Sequence, residues 1–267
     1  MSAAQEQPEH KALRHAVRNI ESSLLKIPSM QYTLEDLSGL PIRCLPMPLS
    51  NEGYPQFKPC FFEPFKTISQ DPEAGYPAWE LPEGWPEDSI SPMDRADSIL
   101  IYLDEYIGSV ICNSASNPKD SPAYWHMPSS SDRYPTLWEH NELSRWVATF
   151  TSDYNAGPHF KCMMISDVHG DDRLTRSELL CACRIMIMFL SSRRWMNHMV
   201  TPVMLLSFMG GYGRILLVHH DGSQLIVRKS KLFDFREKNT PALKLFLRWW
   251  CSSHVGDTLK GALSQEK

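Results

Sequence analysis

Residues 175–251 form the most apolar quarter of the chain, and their runs and breakers dictate the order helix, strand, strand, strand, helix. Thr175-Arg176-Ser177-Glu178 reads as a capping box, a hydroxyl and a carboxylate three residues apart that satisfy the first free amides of a helix. From Leu179 to Leu190 the single charge is Arg184. A helix apolar nearly all round is a buried helix, and this one is too short for a bilayer, which takes about 20 apolar residues. Arg193 and Arg194 mark its solvated end, where cations suit the helix dipole. Residues 200–209 (VTPVMLLSFM) are continuously apolar, as in a strand covered on both faces, with Pro202 restricted to its first residues. Gly210-Gly211 ends that run, and Gly210-Gly211-Tyr212-Gly213 reads as a turn between strands. Two further strand-like runs, 214–220 and 224–229, flank Asp221-Gly222, a hairpin signal whose turn positions favour φ > 0. Asn239-Thr240-Pro241 opens the last helix, with Leu243, Phe246, Leu247 and Trp250 as its apolar stripe.

The expected fold is α+β. A single domain over residues 1–267 holds a three- to four-stranded, mainly antiparallel sheet, an αβββα core packed with helices and wrapped by a proline-rich extended arm. Residues 8–27 read as a helix with Leu13, Val17, Ile20, Leu24 and Ile27 on one stripe. Eleven of the twenty prolines lie in residues 41–92, which argues against regular structure there. Aromatics such as Tyr54, Phe57, Phe61, Phe62 and Trp79 accompany them. Disordered segments are poor in aromatics, so this stretch reads as an arm laying its rings on a core at 93–267. Residues 52–105, which take in most of the arm, are acidic, whereas residues 211–251 are basic, and the arm and the basic end are expected to face each other. Ser91-Pro92-Met93-Asp94 starts a helix with Ala96, Leu100, Leu103, Ile107 and Val110 buried, and 113–134 reads as a polar loop. Thr136-Leu137-Trp138-Glu139 has the spacing of another capping box, with Leu143, Trp146, Val147 and Phe150 as the buried face of a helix. Residues 160–165 (FKCMMI) read as a short strand.

Composition bears on class. With 42% hydrophobic residues, 22% charged and a net charge of −4, the chain reads as an ordinary globular protein whose charge implies neither nucleic acid nor membrane. The first ten residues are polar, with no secretory pattern, and the seven cysteines contain no CxxC pair. An intracellular protein, cytoplasmic or nuclear, with buried free thiols is expected.

The candidate chemistry lies in three places. Met163-Met164-Ile165-Ser166-Asp167-Val168-His169-Gly170-Asp171 is an apolar strand ending in DxHG, and it resembles the first metal-binding motif of calcineurin-like metallophosphoesterases. The resemblance implies that Asp167 and His169 hold one of two metals that activate water. It spans about nine residues, and the later GDxxD, GNH and GHxH motifs of that family are absent. The alternative is a strand-to-helix loop turned by Gly170, with its acids near the next helix start. His219-His220-Asp221 is the second place: adjacent strand residues point to opposite faces, so one histidine at most joins Asp221, Asp167 and His169 as a ligand. Third, the αβββα order resembles the PD-(D/E)XK nuclease core. The strand Gln224-Leu225-Ile226-Val227-Arg228-Lys229 lacks the acid that family uses, while Arg214, Arg228, Lys229 and Lys231 suit a phosphate backbone. Finally, TPVMLLSFMG, DGSQLIVRKSKLFDF and RWWCSSHVGDT resemble a block in uncharacterised proteins of filamentous fungi, a resemblance that implies no activity.

The expectation is a non-catalytic interaction or accessory protein with no cofactor and an unidentified protein partner. The alternative is a metal-dependent phosphoester hydrolase, or a degenerate nuclease-like fold, using a divalent metal at the Asp167/His169 loop. Nucleic acid is a further possible partner, and a membrane is not expected.

Overall fold

A computed structural model describes residues 8–77, 89–114, 136–153 and 157–259. In chain order the elements are α1 (Pro8–Lys26), β1 (Gln31–Tyr32), β2 (Ile42–Pro46), β3 (Phe62–Glu63), α2 (Pro92–Ser114), β4 (Trp138–His140), β5 (Arg145–Asp153), β6 (Phe160–Ser166), β7 (Leu174–Thr175), α3 (Arg176–Leu190), β8 (Val203–Met209), β9 (Tyr212–His220), β10 (Leu225–Lys229), β11 (Phe233–Asp234), α4 (Thr240–Trp250) and β12 (Ser253–His254).

The αβββα order holds as α3, β8, β9, β10, α4, but it is only part of the sheet. Eight strands join in one sheet ordered β2-β10-β9-β8-β6-β5-β4, with β11 on β9, in place of the expected three or four. Two pairings are parallel, β6 with β8 through the α3 crossover, and β2 with β10; the others are antiparallel. The central strands are buried from end to end, because helices cover both faces. On one face Cys162, Met164, Val203, Leu205, Leu216 and Val218 meet α1 and α3. On the other, Met163, Ile165, Met204, Leu206, Ile215 and Leu217 meet α2 and α4. Side chains alternate along a strand, so a continuously apolar run feeds two cores at once.

Local readings fare differently. Thr175 and Glu178 make the reciprocal capping box on α3, and Asn239 caps α4 with proline in its first turn. The Gly210-Gly211 turn joins β8 to β9 directly, with Gly210 at φ +60°. The hairpin at Asp221-Gly222 needs four residues, not two. His220 pairs with Leu225, only glycine stands out with φ +98°, and Asp221 Oδ1 accepts from the amides of Ser223 and Gln224. Residues 138–153 are strands rather than a capped helix. Trp146 and Ala148 face the α1/α3 core while Val147 and Phe150 face the other, with a bulge between Ala148 and Phe150. The β-branched and aromatic residues of RWVATFTSD suit a pleated surface and outweigh the cap-like spacing.

The proline-bearing stretch contributes β2, so regular structure does occur within 41–92. Elsewhere its carbonyls are gripped by basic side chains. Arg228 donates to Pro46 and Lys58, Lys238 to Pro72 and Glu73, and Arg248 to Phe65 and Glu52. Prolines supply acceptors without donors, and cationic side chains of β10, of α4 and of the turn before α4 fill that deficit. The expected acid–base pairing reduces to Lys244 with Asp71 among the described residues. The stretch 78–88 with its two tryptophans, and most of the loop at 113–134, lie outside the described residues.

Candidate functional site

Strands β2, β6, β8 and β10 run the same way, so their carboxyl ends share one edge of the molecule. In open α/β sheets ligands favour that edge. The loop from β6 to α3, residues 167–173, lies there. A pocket of about 950 Å³ opens beside it, lined among others by Thr33, Cys44, Asp171, Arg173, Lys229 and Lys231.

That loop is built on a buried ion pair. Arg214 projects from β9 with both partners almost sealed from solvent, and its Nη2 lies 2.6 Å from Glu178 Oε2. Nε donates to the other carboxylate oxygen, and the guanidinium also donates to the backbone carbonyls of Asp171 and Arg173. Burial alone lowers the pKa of Arg214, but the Glu178 carboxylate more than reverses that and raises it. Arg176, equally buried, donates to the carbonyls of Leu24 and Ile27 at the end of α1 and sits 3.6 Å from Glu139.

The carboxylates of the loop are engaged in the same way. Asp167 accepts from the Met93 amide and lies 3.5 Å from Arg145, so it ties α2 and β5 to the loop. Asp171 pairs with Arg173, and Asp172 with Lys229. Burial tends to raise the pKa of Asp171, but its bonds to Arg173 and the nearby Arg214 lower it overall. His169 accepts from Gln31 through its main-chain oxygen. Gly170 keeps a negative φ; the glycine serves close approach, since a Cβ would stand 2.6 Å from Met209 Cγ and 2.9 Å from Tyr212 Cβ.

The expected metal set does not converge. Ser166, Met209 and Tyr212 share one row across the sheet, placing Asp167 and His169 beside the start of β9. His219 and Asp221 lie at and just beyond the other end of that strand, roughly 23 Å away at about 3.3 Å per residue. Zinc ligands sit within about 2.3 Å of the ion, so these four residues cannot share one. Among the described residues no cluster of three or more His, Cys, Asp or Glu side chains has the geometry to hold a metal.

The proposed phosphate set divides too. Arg214 is core, held by Glu178, and so is unavailable to a phosphate backbone. Lys229 and Lys231 border the pocket beside the loop, Lys231 over the Phe233 ring. Arg228, next to Lys229 on the strand, points to the opposite face, stacked on Phe57, and joins His219 and Asp221 around a second pocket. His219 is buried against the Phe61 ring, and burial pushes its pKa down to about 4, with Asp221 pulling weakly the other way. Arg43 and Lys58, which also line that pocket, escaped the sequence reading. The signal for Arg43 is its alternation in Ile42-Arg43-Cys44-Leu45, visible once that run is read as a strand.

No family model, curated protein or solved structure matches the chain.

Proposed function

We propose that the protein is a non-catalytic interaction or accessory protein acting inside the cell on a protein partner. The observation that carries this reading is the commitment of the loop at 167–173. Its three carboxylates are engaged by Arg145, Arg173 and Lys229, and its backbone hangs on the buried Arg214–Glu178 pair. A catalytic loop keeps its carboxylates directed at a substrate or metal; here they stitch α2, β5 and β10 together. In this reading the segment 41–77 is a strap held by its carbonyls, presenting a fixed outer surface for a partner. Free cysteines at all six described positions agree with a reducing compartment. No helix among the described residues is long and apolar enough to cross a membrane.

The test is hydrolysis of p-nitrophenyl phosphate and its bis ester with Mn²⁺, Zn²⁺ or Mg²⁺ added, by the wild type and Asp167→Ala. We expect both to match the protein-free background. Metal-dependent turnover that Asp167→Ala abolishes would establish the hydrolase instead.

A further inference from the structure

The second pocket, on the opposite face of the β2–β10 edge from the pocket beside the loop at 167–173, has a volume of about 490 Å³. Three neighbouring strands build it. Arg43 on β2, Ile226 on β10 and His219 on β9 lie in one row, and Leu45, Arg228 and Leu217 in the next. Phe61 roofs the imidazole with a ring centroid distance of 5.1 Å. Three cationic side chains line the space: Arg43, Lys58 and Arg228.

Arg228 is fixed before any ligand arrives. Its guanidinium stacks 4.5 Å from the Phe57 centroid and donates to the carbonyls of Pro46 and Lys58. Arg43 and Lys58 have no side-chain hydrogen bond or ion pair among the described residues. Two carboxylates also border the pocket. Asp221 turns Oδ1 onto its own hairpin and Asp257 accepts from the Leu259 amide, so each is oriented by its own backbone, and three cations against two carboxylates leave the lining net positive. Beneath them His219 is 4% exposed, and its Nε2 has no hydrogen-bond partner. Buried polar atoms in folded proteins are nearly always paired, and a neutral imidazole brings one donor and one acceptor. Here a buried ring nitrogen without a hydrogen-bond partner lies beside a net positive lining.

We infer that this pocket binds the oxyanion head, phosphate or carboxylate, of a small organic molecule. Arg43, Lys58 and Arg228 supply the charge, and His219 contributes a neutral hydrogen bond at the floor. An apolar wall of Phe61, Leu45 and Ile226 receives the organic part. The volume falls within the range of roughly 300–1,000 Å³ typical of small-ligand sites. The inference goes beyond the proposed interaction role and is independent of it, since it uses no residue of the loop at 167–173.

The probes are phenyl phosphate and benzoate, titrated into the full chain by calorimetry, with the His219 ring signals followed by NMR. Saturable binding of phenyl phosphate is expected, with the His219 signals moving at the same midpoint. Arg43→Gln and Lys58→Gln should each weaken it about tenfold, the scale of one charge-assisted hydrogen bond. Both side chains lie outside the packed core, so their variants keep the fold, which circular dichroism verifies. Benzoate binding with similar affinity identifies the carboxylate source, and phosphate preference identifies the phosphate source. The inference is overturned if neither probe saturates, or if both variants bind as the wild type does.

Discussion

Arg214 and Glu178 behave as one unit. A buried ion pair contributes little net stability against an apolar pair of equal volume, because desolvation costs about what the attraction returns. Losing one partner is different, since it strands a charge. Glu178→Ala leaves the Arg214 guanidinium in the core and also removes the carboxylate that closes the α3 capping box. We expect a loss of about 3–5 kcal/mol from the stranded charge, read as a lower midpoint of urea unfolding. Thr175→Val keeps the ion pair and removes only the cap hydroxyl, so about 1 kcal/mol should be lost. Equal losses in the two variants would refute the assignment of the larger effect to the stranded charge.

The loop at 167–173 marks where element-level reading of the sequence succeeded and where it stopped. Periodicity found the strand before it and the capped helix after it, because a two-sided apolar run and a capping box are local signals. It did not find that Glu178 and the loop carbonyls are held by Arg214, which comes from a strand hairpin later in the chain. The clue was present: a lone arginine inside an otherwise apolar, doubly covered strand must be buried and therefore paired, and Glu178 was already in view as a cap. Lys161, equally alone in an apolar strand, obeys the same logic. Its ammonium donates to the carbonyls of Trp250 and Ser252 at the end of α4, and burial drives its pKa well below the ordinary value. Residues 136–153 misled for the opposite reason, since the cap-like spacing was local while the pairing of β5 with β6 was not. The second pocket was half legible: His219, Asp221 and Arg228 were named, but joined to the wrong partners, because sheet direction decides which ends meet. For Gly170 the turn reading gives way to packing. Gly170→Ala drives a methyl into Met209 and Tyr212, and overpacking of this kind costs about 1–3 kcal/mol. Thermal unfolding should register it; an unchanged midpoint would mean that the loop stands off the β8–β9 turn.

At the scale of the whole molecule, one end of the sheet is held by ion pairs and the other by buried neutral imidazoles, and the two ends should answer differently to acid. His159 and His219 are both pushed down to about 4 by burial. His159 lies among the rings of Phe61, Phe62 and His254, and its Nε2 meets the Val255 carbonyl. In the unfolded chain each imidazole takes its proton near pH 6.5. Because the folded value is lower, the unfolded state binds more protons between pH 6.5 and about 4. The stabilisation is therefore complete above 6.5 and declines as the pH falls through that window, by up to about 3 kcal/mol per imidazole. The ion-paired carboxylates Asp171 and Asp234 are held below the ordinary carboxylate range, so their share is lost only at more acid pH. Urea midpoints should then be flat from pH 8 to 7 and fall steadily from 6.5 to 4.5. His159→Gln keeps a donor at that position but does not titrate, so its decline over the same window should be shallower than the wild type's, with His198, His219, His220 and His254, whose pKa values burial also lowers, supplying the remainder. A His159→Gln profile parallel to the wild type would show that the histidine end is hydrated enough to protonate without unfolding, and would assign the acid sensitivity to the carboxylates instead.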